Sequence, residues 1–241
     1  MIGHPRRIAR NVINRSREIC HMLKYSILPG SYHISYKWGC LYGNSGKNND
    51  IQIESWCSGN LMLLVSGNNN RVHIGKDVRF GPKCMIVIDG DNSEVVIGDK
   101  CSFTRKLHLA VTEGNSKCII GKDCMFSYNI VVRTSDAHPV YDVETKNRLN
   151  LPADVVLDNH VWVGPNTTIS KGVHIGANSV IAQNSVATKS IPSSVVAAGA
   201  PASVKRKNIH WNRIITDDPF ENCEIRYVPD LRHKMLDEWM S

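Results

Sequence analysis

Three ten-residue blocks of this chain repeat at a fixed spacing of 23: residues 71–80 (RVHIGKDVRF), 94–103 (EVVIGDKCSF) and 117–126 (KCIIGKDCMF). After a gap the repeat returns as pure six-residue steps, anchored on Leu157, Val163, Ile169, Ile175 and Ile181. A unit this short cannot bury its apolar face alone, so neighbouring units must stack into a solenoid. Six residues at about 3.3 Å each span roughly 20 Å, a short strand plus its corner. Three such sides close one triangular coil of 18 residues with the aliphatic anchors inside. The pattern predicts an all-β chain, a parallel β-helix of hexapeptide repeats.

The register holds within each early coil. Ile74, Phe80 and Ile86 step by six, as do Ile97, Phe103 and Leu109, and Ile120, Phe126 and Val132. The five residues by which 23 exceeds 18 are Gly, Asn, Asp and Ser around positions 67–70, 90–93 and 113–116. These residue types favour turns, so bulged corners stacked along one edge are expected. A weaker earlier copy begins at Ile53, 21 residues before Ile74.

Composition bounds the rest. The 241 residues read as one elongated domain with two additions: a basic capping segment over 1–50, the β-helix over 51–204 and a tail over 205–241. No apolar run approaches the 18–20 or so residues of a membrane span, and the start (MIGHPRR) has no signal-peptide core. Eight cysteines occur without a CxxC pair. Cys101 and Cys124 fall at the small inward position that Val78 occupies, so they read as apolar fillers, and a cytoplasmic protein is expected.

The net charge of +7 is concentrated at the front, where Arg6, Arg7, Arg10, Arg15, Arg17 and Lys24 face Glu18 alone. Ile8, Val12, Ile19, Met22 and Leu23 recur among them at helical spacing, as for a helix capping the solenoid. The alternative is a basic amphipathic surface making peripheral contact with anionic lipid or polysaccharide. Nucleic acid is set aside, since no basic patch interleaves with aromatics. At the other end, residues 229–241 (PDLRHKMLDEWMS) read as a short helix with Leu231, Met235, Leu236 and Trp239 on one face.

Between residues 133 and 151 the hexads fail. An excursion of that length inside a compact domain is usually functional. This one holds His138, flanked by Asp136 and Asp142. Histidine titrates near neutrality and can take a proton from a hydroxyl, and a carboxylate beside it can fix its tautomer.

The segment from His160 through Trp162, Gly164 and Ile169, with the ending AAGAPASVKRKNIHWNR, resembles the O-acetyltransferases of the left-handed β-helix superfamily. The pattern DAHPVYD and the 24-residue interval from His138 to Trp162 are most similar to bacterial polysaccharide and sialic acid capsule O-acetyltransferases. The resemblance implies a left-handed solenoid, although parallel crossovers are ordinarily right-handed. It also implies a homotrimer, acetyl-CoA as co-substrate and no metal. The acceptor would be a hydroxyl of a bacterial surface carbohydrate such as capsule, lipooligosaccharide or sialic acid, and a basic protein suits an anionic one.

Carried onto this sequence, the resemblance makes His138 the general base for direct attack of the acceptor on the thioester. Asp136 would orient it, with Asp142 behind. Trp162, at the free sixth position of its hexad, would project outward and pack against the thioester end of coenzyme A. The Gly164 amide is an expected oxyanion donor. Small residues at Ala182, Ala198 and Gly199 would let pantetheine and adenine approach, with Pro201 at the turn. Thr188, Lys189, Lys205 and Arg206 would meet the phosphates.

Rival classes fit less well. A γ-type carbonic anhydrase shares the solenoid but needs three metal ligands, and its tight histidine pair is absent; His160 and His174 occupy different places in their hexads. A sugar nucleotidyltransferase needs an α/β domain for which there is no room. An N-acetyltransferase of amino-sugar nucleotides usually carries a nucleotide-binding domain ahead of the helix. A non-catalytic trimeric scaffold has no use for His138 and Trp162.

Overall fold

Aliphatic anchors six residues apart can be buried together only if the chain turns a corner after each one, and it does. The computed structural model describes residues 33–37, 40–54 and 61–215, and every regular element in them is a strand. The helices expected within 1–27 and 229–241 lie outside the described residues. Apart from an antiparallel strand at each end, His33–Lys37 and Ser203–Lys207, the strands form parallel faces of a β-solenoid, in which each residue pairs with its equivalent one coil further on. Ile53 pairs with Ile74, Ile74 with Ile97, Ile97 with Ile120, Ile120 with Leu157 and Leu157 with Ile175. The expected early copy at Ile53 is therefore a coil. Parallel pairing already joins Cys40–Ser45 to Leu61–Ser66, ahead of the boundary expected at 51.

Three faces recur. One carries the phenylalanines, with Arg79–Phe80, Ser102, Phe103, Met125 and Phe126, followed by Trp162–Val163 and Val180–Ile181. The second is the long-strand face, built from Cys84–Asp89 and the ends of Ser102–Thr112 and Met125–Arg133. The third is a charged face, on which Arg71 and Lys117 both pair with Glu94 across the coils. Inward side chains are fully buried: Phe80, Phe103 and Phe126 form a stack with centroids 4.8 and 4.7 Å apart. That spacing is the strand spacing itself, so identical residues meet their copies in van der Waals contact.

Cys101 and Cys124 occupy the small inward column with Val78 and are fully buried. Burial pushes the Cys101 thiol up and that of Cys118 to about 12, which leaves both inert as nucleophiles. Residues of positive φ turn the corners, and Asn recurs among them: Asn48, Asn69, Asn92 and Asn115 at one corner, Asn129, Asn166 and Asn184 at another. Asparagine tolerates that backbone, and its amides bond from coil to coil at 3.0–3.4 Å. Gly67 sits at the bulged corner with φ +100°; a Cβ there would strike the Gly90 carbonyl oxygen.

Candidate functional site

The excursion after Arg133 is an ordered finger. It leaves the solenoid between the long-strand and charged faces and doubles back on itself. Tyr141 and Arg148 form an antiparallel bridge, and the Leu149 N–H donates to the Val140 carbonyl at 2.8 Å. Asp142 closes the tip: its carboxylate accepts from the backbone N–H and hydroxyl of Thr145 at 2.6 and 2.9 Å and from the Glu144 N–H at 3.0 Å. Those bonds hold its pKa below the usual carboxylate range.

Polar fastenings tie the finger to the coils. Glu113, on a bulged corner, accepts from the Ser135 hydroxyl and pairs with Arg148 at 2.5 Å. The Ser135 bond, followed by Arg148, holds its pKa low. Asp136 pairs with Lys171 at 2.5 Å and accepts from the Asn150 amide at 2.9 Å, which lowers its pKa in the same way. The apolar side chains of the finger face outward: Val140, Tyr141, Val143, Leu149 and Leu151 are all more than half exposed.

His138 lies exposed on this finger, between the two anchored stretches. The expected contact with a carboxylate does not form. Asp136 is engaged by Lys171 and Asn150, Asp142 by its own turn, and the imidazole has no hydrogen bond among the described residues.

Trp162 occupies a different side, on the phenylalanine face, where alternation points it outward and leaves it 37% exposed. It floors an open hollow of about 470 Å³ together with Val180 and Val196, the outward residues of the next coils. The far wall is the segment that follows the last coil, with Arg206, Ile209, His210 and Trp211. No finger residue lines this hollow.

A second set of bonds holds that wall in place. Asp123, His160 and Asn178 are stacked positive-φ residues of one corner. His160 Nδ1 lies 2.7 Å from Asp123 and its Nε2 2.9 Å from the Trp211 carbonyl, and the Trp211 indole stacks on the ring at 3.9 Å and donates to the His160 carbonyl. Arg213 reaches Asp123 at 2.6 Å, and the Asn178 amide donates to the Ile209 carbonyl at 2.8 Å. Burial alone would raise the Asp123 carboxyl, but the bonds from His160 and Arg213 outweigh it and hold the pKa below its ordinary value.

The other expected cofactor residues are scattered. Ala182, Ala198, Gly199 and Pro201 lie at or beyond one corner, Thr188 and Lys189 at another, and none lines the Trp162 hollow. The Gly164 N–H donates to the Ile181 carbonyl at 2.7 Å, which commits it to the stacking of the coils and away from an oxyanion. Lys205 falls at the irregularity between two antiparallel strands, so its neighbour Arg206 pairs with Val196 and points over the hollow instead. The missed residues are thus Val180 and Val196, which continue the outward column of Trp162, and Asn208, Ile209 and His210, whose role depends on the path of the chain after the last repeat.

The model of the bacterial transferase hexapeptide family (six repeats) matches residues 154–189. A polysialic acid O-acetyltransferase of Escherichia coli O1:K1 / APEC is 36% identical over 95 residues, 37% of this chain and 31% of that protein. The chain thus matches about a third of the length of this curated relative. Two crystal structures align more broadly. The polySia-specific acetyltransferase NeuO is 30% identical with a TM-score of 0.59, covering 75% of this chain and 85% of its own. The polysialic acid O-acetyltransferase OatWY is 32% identical with a TM-score of 0.51, covering 75% and 96%.

Proposed function

Because this chain belongs to the hexapeptide-repeat acetyltransferase family, we propose that it transfers an acetyl group from acetyl-CoA to a hydroxyl of a bacterial surface carbohydrate. The observation that carries the proposal is Trp162, a half-exposed indole flooring an apolar hollow beneath a guanidinium. That hollow suits an arm that is apolar at the thioester and anionic further along. Trp162, Val180 and Val196 pack against the former, and Arg206 meets phosphate.

His138 is the base. Its imidazole takes the acceptor proton as the hydroxyl oxygen bonds to the thioester carbonyl carbon. The carbon–sulfur bond then breaks, and the imidazolium returns the proton to the departing thiolate. Atoms and charge balance without a covalent enzyme intermediate, so none of the buried thiols is needed. A positioned base typically contributes about 10²–10⁴-fold.

His138 and Trp162 stand on different sides of one coil stack, so one copy supplies the base and its neighbour the hollow. The exposed apolar side chains of the finger support this arrangement, since they suit burial against a second copy. A homotrimer is the assembly proposed. Polysialic acid, after which both matched acetyltransferases are named, gives the acceptor class to try first, sialylated polymers. Arg79, Lys83, Arg105 and Lys106 support an anionic acceptor: all are exposed, and none has a carboxylate partner among the described residues. The setting proposed is the cytoplasm, where acetyl-CoA is made.

The test measures free thiol released from acetyl-CoA with sialylated and neutral glycans. Wild-type protein should release thiol only with an acceptor, and His138→Ala should lose about 10²–10⁴-fold. Trp162→Ala should raise KM for acetyl-CoA. Mixed after co-refolding, the two variants should regain activity through sites that take one intact residue from each copy. Acceptor-independent release, or full activity in His138→Ala, would overturn the assignment.

A further inference from the structure

Asn150 closes the finger, and all the polar atoms of its side chain are engaged around His138. Its Nδ2 donates to the His138 carbonyl at 2.8 Å and to Asp136 at 2.9 Å, while its Oδ1 accepts the Val140 N–H at 2.7 Å. One amide thus grips the backbone at the histidine and two residues after it, and the carboxylate two residues before it. Asp136 is in turn bonded to Lys171, which belongs to the rigid coil below. The Arg148 guanidinium adds a bond to the Asn150 carbonyl at 3.3 Å and ties it to Glu113 on the coils.

We propose that Asn150 is the positioning residue of the site: its amide fixes the backbone of residues 136–140 and thereby aims the imidazole of His138, with Asp136 and Lys171 as its footing on the solenoid. The inference rests on His138 being the base. It follows from how little else directs that ring. An imidazole with no hydrogen bond of its own takes its direction from its backbone and side-chain torsions. The side-chain torsions have staggered preferences, and Pro139 narrows the backbone at His138, but that backbone keeps its place on an exposed finger only where something pins it. A displacement of about 1 Å in a reacting group can cost about 10²-fold in rate. Asp136 then acts on His138 at one remove, by orienting the amide, and needs no contact with the ring.

Asn150→Asp is the sharpest probe, because it keeps the shape and replaces the donor by an oxygen facing both the Asp136 carboxylate and the His138 carbonyl. We expect kcat to fall about 10–100-fold while KM for acetyl-CoA stays within about twofold, since no finger residue lines the Trp162 hollow. Lys171→Met, which removes only the footing, should give a smaller fall in the same direction. The same substitution in a His138→Ala background should cost nothing further, because the ring it aims is gone. Retention of wild-type kcat by Asn150→Asp, or losses that multiply in the double variant, would overturn the proposal while leaving His138 as base. Full activity in His138→Ala would instead remove the base assignment itself, and this inference with it. Asn150→Ala serves as the second variant, and its thermal midpoint, set by the coils, should match the wild type.

Discussion

The coil stack and the finger are made of the same chain and held by opposite means. In the coils the apolar side chains at the inward positions are essentially inaccessible, and each is stacked on its equivalent in the next coil. In the finger, Val140, Tyr141, Val143, Leu149 and Leu151 point to solvent, and order comes from Glu113, Lys171, Asn150 and the Asp142 turn. Burial stabilises by about 25 cal/mol per Å² and spreads the effect over the whole stack. A hydrogen bond to a charged group contributes about 1.5–3 kcal/mol and acts at one place. The scaffold is therefore cooperative and the finger local. The side chain proposed for the chemistry sits on the local part, where a bond can be adjusted without unfolding the rest.

Three substitutions put that contrast to the test. Phe103→Ala removes the middle ring of the three-phenylalanine stack and should destabilise the protein by about 3–5 kcal/mol. The check is the thermal or denaturant midpoint; an unchanged midpoint would mean that the coils do not share their stability. Glu113→Gln should spare the midpoint and loosen the finger alone, by about 1–2 kcal/mol. Hydrogen exchange at the amides of Ala137, Val140 and Leu149 should quicken about tenfold, with Val111 and Val132 in the coils unaffected. If coil amides exchanged faster too, the two regions would be one unit.

The smallest effect concerns the terminal wall of the hollow, which is fastened like the finger but lies on the coils. The Asp123 carboxyl is depressed below its ordinary 3.8 in the folded chain. Its contribution is therefore complete above that value and lost as pH falls through the depressed one. The indole N–H resonance of Trp211 reports on this fastening. It should persist from neutrality down to the ordinary carboxyl value of 3.8 and broaden as the pH falls through the depressed one, whereas Asp123→Asn should show the loosened state already at neutral pH. Equal behaviour of the two proteins throughout would show that the Trp211 stack on His160 suffices alone.

The coils were legible because a β-helix maps sequence interval directly onto contact: residues one coil apart touch, whatever lies between. The same rule explains why Cys101 and Cys124 read correctly as fillers, and why the 23-residue spacing announced bulged corners. The finger was legible only as an interruption. Its partners lie at intervals that no period predicts, such as Glu113 with Arg148 and Asp136 with Lys171. Two carboxylates near His138 in sequence suggested a dyad, yet each found a closer partner once the chain folded back. The hollow beside Trp162 was half legible: the outward tryptophan follows from its hexad position, but the wall depends on a strand reversal and a bulge at Lys205.

In-register stacking also makes the solenoid a ruler with fixed graduations. The finger leaves from the coil that carries Met125, and Trp162 sits directly beneath Met125 on the next one. The root of the finger and Trp162 are thus offset along the axis by a single step of about 4.8 Å. Intermediate offsets are unavailable without breaking every ladder at once. A lineage that needed a different reach for a bulkier acceptor would have to gain or lose a whole coil, or else redesign the finger, and the finger is the part whose length is free.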